Sequence, residues 1–447
     1  MSGENPPVVD EANSKPETTI FIDTLVNAYQ PAAILSRRVR LQSLLHPRPV
    51  DLVDHYLTLT EKWLKQAHTH YQQTAVEDNG ISLVAEWMLD NYYILQQAMR
   101  LIREDLPPGY QRQLPRLLNS PYTQFPRIFA LCRSFLFNQS YLFDINAFKE
   151  QINVFQQHLP LTMGELWSIP IFLRFALLEK ESQLLLEDIK PEEKPELPDY
   201  PPVIPGAERL ETIPPYPGID PATFTANIFQ SLRLVSESDW EEIFESISLV
   251  ECTLRKDPAG VYPQMDFKTR NLYRGEIEKL ARYSGQEENR LARTLLEYCQ
   301  NRVNDKGDQA DRTGSAHVGD FLIGSKRGEF ERFIRTRPSF KARMANFVKD
   351  WRSVLYLGSI GGIALGLIIL VILIIHSNPT LTQIGFWQVL LMIAIALGLI
   401  APALNVASNL VNIFLTAVIP PGMLPKMDFK DGVPEEYRTL IAIPALI

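Results

Sequence analysis

VLYLGSIGGIALGLIILVILII, residues 354–375, is 22 residues without a charge. As a helix rising 1.5 Å per residue it reaches about 33 Å, enough to cross the hydrocarbon core of a bilayer. A second uncharged run, Phe386 to Leu404, adds 19 residues. The turn between them, His376 to Gln383, carries no Lys, Arg, Asp or Glu. Arg335, Arg337, Lys341, Arg343, Lys349 and Arg352 precede the first run, and Lys426, Lys430 and Arg438 follow the second. The positive-inside bias therefore puts both flanks in the cytoplasm and the short turn outside. Both runs are long and apolar on every face, which argues for spans over two buried core helices.

Two details refine the hairpin. Gly358, Gly362 and Gly366 recur every fourth residue, a small-residue ridge that would let a partner helix approach closely. Asn405, Ser408, Asn409 and Asn412 share one face of a continuing helix, opposite Val406, Leu410, Ile413 and Phe414. Carried on to Val418 the second helix would be 33 residues. Pro402 offers a bend, so 405–424 is expected as an amphipathic segment at the inner interface, with a polar conduit as the sharper alternative.

Beyond it, TLIAIPALI (439–447) reads as a buried β-strand with nothing following it. A lone strand cannot satisfy its own backbone, so we expect this chain to be the front portion of a longer membrane protein.

Over all 447 residues the chain is 46% apolar and 21% charged, with a net charge of −8. That balance argues against a general nucleic-acid binder, which needs a basic face to neutralise phosphates. Cys132, Cys252 and Cys299 stand singly, as expected for reduced thiols in a cytoplasmic protein. Residues 1–20 are acidic, polar and proline-bearing, without a secretory h-region, and read as a disordered tail.

Helical periodicity then runs nearly throughout: Asp51 to Gln73, Leu83 to Ile102, Pro126 to Phe137, Ile145 to Leu159 and Thr162 to Glu187. Thr162 and Glu165 are spaced for a capping box. The expected organisation is a helical domain over 21–187 and a proline-rich linker over 188–221, which holds ten prolines. A second helical subdomain follows over 222–304, then a polar linker over 305–317 and a basic juxtamembrane helix over 318–352. The spans are placed at 353–376 and 386–404, and a further domain begins at 425–447. The fold class is all-α, with the hairpin and the first strand of a missing domain attached.

Several strings are distinctive together: Ala85 to Tyr92, Arg103 to Tyr110, Leu161 to Trp167, Asp257 to Tyr262, Met265 to Arg270, Arg274 to Ser284 and Pro425 to Pro434. They resemble, in order and over about residues 30–447, the N-terminal region of the cyclic β-1,2-glucan synthases. The resemblance implies a bacterial inner-membrane, multi-pass enzyme whose α/β glycosyltransferase domain starts at the end of this chain. It further implies inverting glucose transfer from UDP-glucose with a divalent metal in that domain. Partners so implied are the bilayer, the downstream transferase domain, further membrane helices and glucan, with no nucleic acid. The family's catalytic, nucleotide-sugar and metal motifs lie beyond Ile447, so no catalytic, cofactor-binding or metal residue is expected here.

The residues by themselves give no active site either. Gly324-Ser325-Lys326-Arg327-Gly328 is basic but lacks phosphate-loop spacing. His68 and His70 point about 200° apart on a helix and cannot share a metal. Glu241 and Glu242 suit an acidic first turn better than a glycosidase pair. Trp87, Trp167 and Trp240 are candidates for stacking on sugar rings, though each lies on an apolar stripe. The rival to an enzyme portion is a non-catalytic membrane-tethered scaffold. A small transporter component is disfavoured, because two spans and an uncharged membrane core offer no ion or substrate site.

Overall fold

A computed structural model describes residues 52–77, 80–107, 109–110, 113–116, 125–189, 220–306, 317–336, 351–377, 386–418, 424–430, 432–433 and 435. The expected tail 1–20, nearly all of the proline-rich linker and the strand at 439–447 lie outside these residues. The described residues are all-α, with no named strand and only two isolated antiparallel bridges, Arg116 with Pro126 and Met265 with Met427. They fall into two compact units.

The first unit comprises residues up to 263, 270–281 and 285–327. Its helices are α1 (Leu52–Glu77), α2 (Leu83–Asp105), α3 (Arg127–Asn138), α4 (Ile145–His158), α5 (Met163–Asp188), α6 (Pro221–Glu237), α7 (Trp240–Ile247) and α8 (Leu249–Leu254). Most of α9 (Phe267–Ser284) follows, with α10 (Glu288–Lys306) and α11 (Val318–Leu322). Helix α5 is apolar on nearly every side and is buried as such, packing against α1, α2, α3, α6 and α7. Phe129 of α3 lies 5.2 Å from Phe175 and 6.0 Å from Phe172 of α5, ring centre to ring centre. Each such ring removed from water contributes about 1.5–3 kcal/mol.

Polar staples set the helix ends. Ser82 caps α2 by accepting from the Ala85 amide, and its hydroxyl donates to Asp188 at the end of α5. Asp188 also accepts from the Tyr71 hydroxyl of α1 at 2.9 Å. Trp63 of α1 is 1% exposed and donates its indole N–H to the Ser182 carbonyl. Helix α11 stops where Ile323 and Gly324 both donate to the Gly319 carbonyl. The backbone of Asp320 lies where a side chain at 324 would sit, so Gly324 suits this stop. Residues 318–333, read from sequence as the start of one helix, thus form α11 and a separate short helix, α12 (Arg327–Phe333).

The second unit comprises residues 264–269, 282–284 and 328 onwards. Its core is a hairpin of α13 (Arg352–His376) and α14 (Phe386–Val418). Ala364, Ala403 and Ala407 form the seam, flanked by Ile360, Leu367 and Ile368. Alanine at these positions lets the two backbones come close without large side chains between them. The Tyr356 hydroxyl donates to Asn412 at 3.0 Å, closing the hairpin at its open end. Outward, Leu357, Leu365, Leu373, Ile413 and Phe414 are each more than half exposed.

Helix α14 continues through Pro402 to Val418 as 33 residues, about 50 Å long. The stretch long and apolar enough to cross a membrane is Met392–Ala417, against Phe386 to Leu404 read from the sequence. Proline removes one backbone donor but leaves the neighbouring helix bonds available, so the helix need not end there. Gly358, Gly362 and Gly366 face open space, so the glycine ridge is not what brings α14 close.

Candidate functional site

The first polar cluster grows from the start of α5. Thr162 and Glu165 form the capping box: the Thr162 hydroxyl accepts from the Glu165 amide, and Glu165 accepts from the Thr162 amide at 2.9 Å. Glu165 is fully buried, and Arg127 at the start of α3 grips both carboxylate oxygens. Arg127 also donates to the Pro160 carbonyl at 2.9 Å. One carboxylate therefore caps a helix and neutralises a buried guanidinium. Arg133 of α3 and Glu179 of α5 form a second buried pair at 3.2 Å.

A larger network joins α7, α8 and α9. Glu251 and Arg274 are both fully buried and meet at 2.6 Å. Arg274 also reaches Glu245, which accepts a bidentate grip from Arg270, Nε to Oε1 at 3.0 Å and Nη2 to Oε2 at 2.9 Å. Arg255 closes the ring on Glu245 and Glu251, each at 2.8 Å. The Tyr262 hydroxyl donates to Glu251 at 2.6 Å. Burial alone would raise the Glu251 pKa, but the Arg274 charge and the donors from Tyr262, Arg274 and Arg255 hold it below the ordinary carboxylate range. Tyr262 is pushed far up by burial and by the Glu251 charge, so it stays a neutral donor.

Asp257 organises the third cluster. Its Oδ2 accepts from the Val261 and Tyr262 amides, folding the Asp257–Tyr262 turn, and Gly260 takes a left-handed φ of 66° there. The same oxygen meets His317 Nδ1 at 2.7 Å, while Oδ1 accepts from the Val318 amide at 3.1 Å. The other ring nitrogen of His317 lies 3.2 Å from the Tyr273 hydroxyl. Gly319 lies against this contact: a β-carbon there would collide with the Tyr273 hydroxyl and the His317 ring. Burial opposes the Asp257 charge, but the His317 bond and charge, with the backbone donors, lower its pKa. Burial, with Asp257 and Asp320 nearby, pushes Tyr273 up to about 12 and Cys299 up to about 12.

A carboxylate locked to guanidinium or amide groups is neither a free base nor a proton donor near neutral pH. The first cluster holds α3 to α5, and the other two hold α7, α8, α9 and the start of α11 together. The exception is Glu181 on α5, fully buried, with neither carboxyl oxygen in a hydrogen bond. Burial, aided by the Asp188 charge, pushes it up to about 8.

The groups weighed from sequence are placed as follows. Trp87 stacks on Phe229, and Trp167 on Phe244 at 4.3 Å; Trp240 donates to the Val235 carbonyl and lies near Phe143. His68 stacks on Tyr92, and burial lowers its pKa. His70 lies against Tyr71 instead. Glu241 and Glu242 are exposed in the first turn of α7, their amides taken by Asp239. Lys326 is paired with Asp320, and Arg327 with Glu276 and the Leu322 carbonyl. Among the described residues, no group of three or more His, Cys, Asp or Glu side chains is placed to hold a metal.

Asp257, Tyr262, Arg270 and Arg274 stand within the distinctive strings, but the sequence pointed to no role for them. Glu251, His317 and Glu181 carried no sequence signal. His317 meets Asp257 across 60 residues, a separation that leaves no periodic trace.

No family model matches the chain. The chain is 28% identical over 438 residues to the cyclic beta-(1,2)-glucan synthase NdvB of Rhizobium meliloti (strain 1021), an alignment covering 84% of this chain. The resemblance read from the strings is thus accompanied by a match over most of the chain. The chain spans 15% of the length of that relative.

Proposed function

We propose that this chain is the helical platform and first membrane anchor of a glucan synthase-related membrane protein. The reading rests most on the extent of the match, a single alignment that covers 84% of this chain. The hairpin adds a physical argument. Its two long apolar helices are almost wholly uncovered by protein, which in water would expose far more apolar surface than a soluble fold tolerates. Membrane association resolves this.

In this reading the helical unit lies in the cytoplasm of a bacterium and the hairpin sits in the inner membrane. The transfer of glucose from UDP-glucose, with its divalent metal, belongs to a further portion of the polypeptide. Membranes carrying residues 1–447 alone are therefore expected to incorporate no radiolabelled glucose from UDP-glucose. A complete synthase carrying this portion would incorporate it. Clear incorporation by residues 1–447 alone would refute the division of labour.

A non-catalytic, membrane-tethered scaffold is the second reading. It is favoured by the way Glu165, Glu245, Glu251 and Asp257 are each spent on structural partners. In-frame coding sequence beyond Ile447, bearing acidic nucleotide-sugar motifs and more apolar spans, would decide for the first.

A further inference from the structure

Two hexapeptides of this chain are near-copies: PQMDFK at 263–268 and PKMDFK at 425–430, identical at five of six positions. The first leads into α9, and the second follows α14. In the second unit the two segments meet, pairing antiparallel about Met265 and Met427. The Asp266 amide donates to the Lys426 carbonyl at 3.1 Å, and the Asp428 amide donates to the Gln264 carbonyl at 2.8 Å. Each strand thus gives and receives the same bond at the same place, a local two-fold relation that matches the repeated sequence.

The aspartates support the pairing without entering it. Asp266 accepts from the Thr269 amide, capping the first turn of α9, and Asp428 accepts from the Lys430 amide. Both side chains therefore serve their own strand and do not compete for the partner's amides. The Thr269 hydroxyl, on a residue 1% exposed, then accepts from the Lys426 amide at 2.9 Å. The cap of α9 and the docking of 424–430 are thereby one structure. Met265 and Met427 form a non-hydrogen-bonded pair, the register in which facing side chains come closest, and Met265 is buried.

We propose that residues 264–269 are a receptor strand for residues 425–430, and that this clasp fixes where the chain runs after leaving α14. A two-stranded ribbon this short is marginal alone. It persists because one strand is anchored by a helix cap and the other is tethered on the same polypeptide. Three hydrogen bonds and one buried methionine make it reversible, so it is a latch and not a weld. The inference does not depend on the glucan synthase reading.

The test is cysteine cross-linking of the full chain in native membranes, with Cys252→Ser removing the exposed thiol. Met265→Cys with Met427→Cys is expected to form an intrachain disulfide under mild oxidation, identified as a linked peptide by mass spectrometry. A non-hydrogen-bonded antiparallel pair lies within the Cα separation that a disulfide spans. Met265→Cys with Val433→Cys should link at least tenfold more slowly. Asp428→Pro, which deletes one donor in an exposed segment, should slow the 265–427 link at least tenfold with helix content unchanged by circular dichroism. Absence of the 265–427 link, equal rates for both pairs, or insensitivity to Asp428→Pro would overturn the clasp. A link found only between two chains would overturn it in favour of a second copy as the partner.

Discussion

Glu251 and Glu181 are two buried carboxyls with opposite consequences for stability. Glu251, with Asp257 and Glu276, has a folded pKa below its ordinary value. Its contribution is present above the usual carboxylate value and is lost as pH falls from there through the lower folded pKa. Glu181 is raised to about 8. Its unfolded form ionises near the usual carboxylate value, so stability drains away as pH climbs from there to about 8. Glu181→Gln should therefore flatten the stability-versus-pH profile between the usual carboxylate range and about pH 8. It should also stabilise the detergent-solubilised chain at pH 9 by a few kcal/mol, because a tenfold change in a proton-binding constant is worth ~1.4 kcal/mol. Equal slopes for both proteins would count against it. Arg274→Met leaves Glu251 with a buried charge short of its closest partner and should cost about 3–5 kcal/mol. Arg274→Met with Glu251→Leu should cost clearly less than Arg274→Met alone, and a double-mutant cycle by denaturant unfolding measures the difference. At this scale the capping box of Thr162 and Glu165 was readable from spacing alone. The Arg127 that completes it was not, because a pairing across 38 residues is set by how α3 meets α5.

Helices were the most legible elements, since each depends on its own apolar period and end signals. Their terminations were less so. Pro402 read as a bend, but the helix runs on, because the lost amide bond is only one among many along 33 residues. The hairpin makes the same point about packing. The glycine ridge on α13 was the conspicuous small-residue pattern, yet the seam is Ala364, Ala403 and Ala407. Which small residues serve a seam depends on how each helix is rotated, and rotation is decided by both faces together. Ala407→Leu should force the helices apart, whereas Gly362→Leu points into open space and should leave the seam intact. With Tyr356→Cys and Asn412→Cys as reporters, disulfide formation should fall several-fold for the first and hardly change for the second. Similar rates for both would place the seam elsewhere.

For the whole molecule, the division into a helical unit and an apolar hairpin carries the functional reading. If both flanks of the hairpin are cytoplasmic, a cysteine at Lys426 should resist a membrane-impermeant maleimide in intact cells and react after permeabilisation. One at Thr380, in the turn between the spans, should react in both cases. The reverse pattern would invert the hairpin. The sequence by itself determined that the described residues are helical, that two of the helices are long and apolar enough to cross a membrane, and which known synthases the chain resembles. Period, length and hydropathy are local properties, and the distinctive strings are contiguous. Only the tertiary structure decided what those strings do: Asp257, Tyr262, Arg270 and Arg274 build buried charge networks, and two Met-Asp-Phe segments far apart in the chain become one clasp. Charges and strand edges find partners through space, at distances no sequence interval encodes.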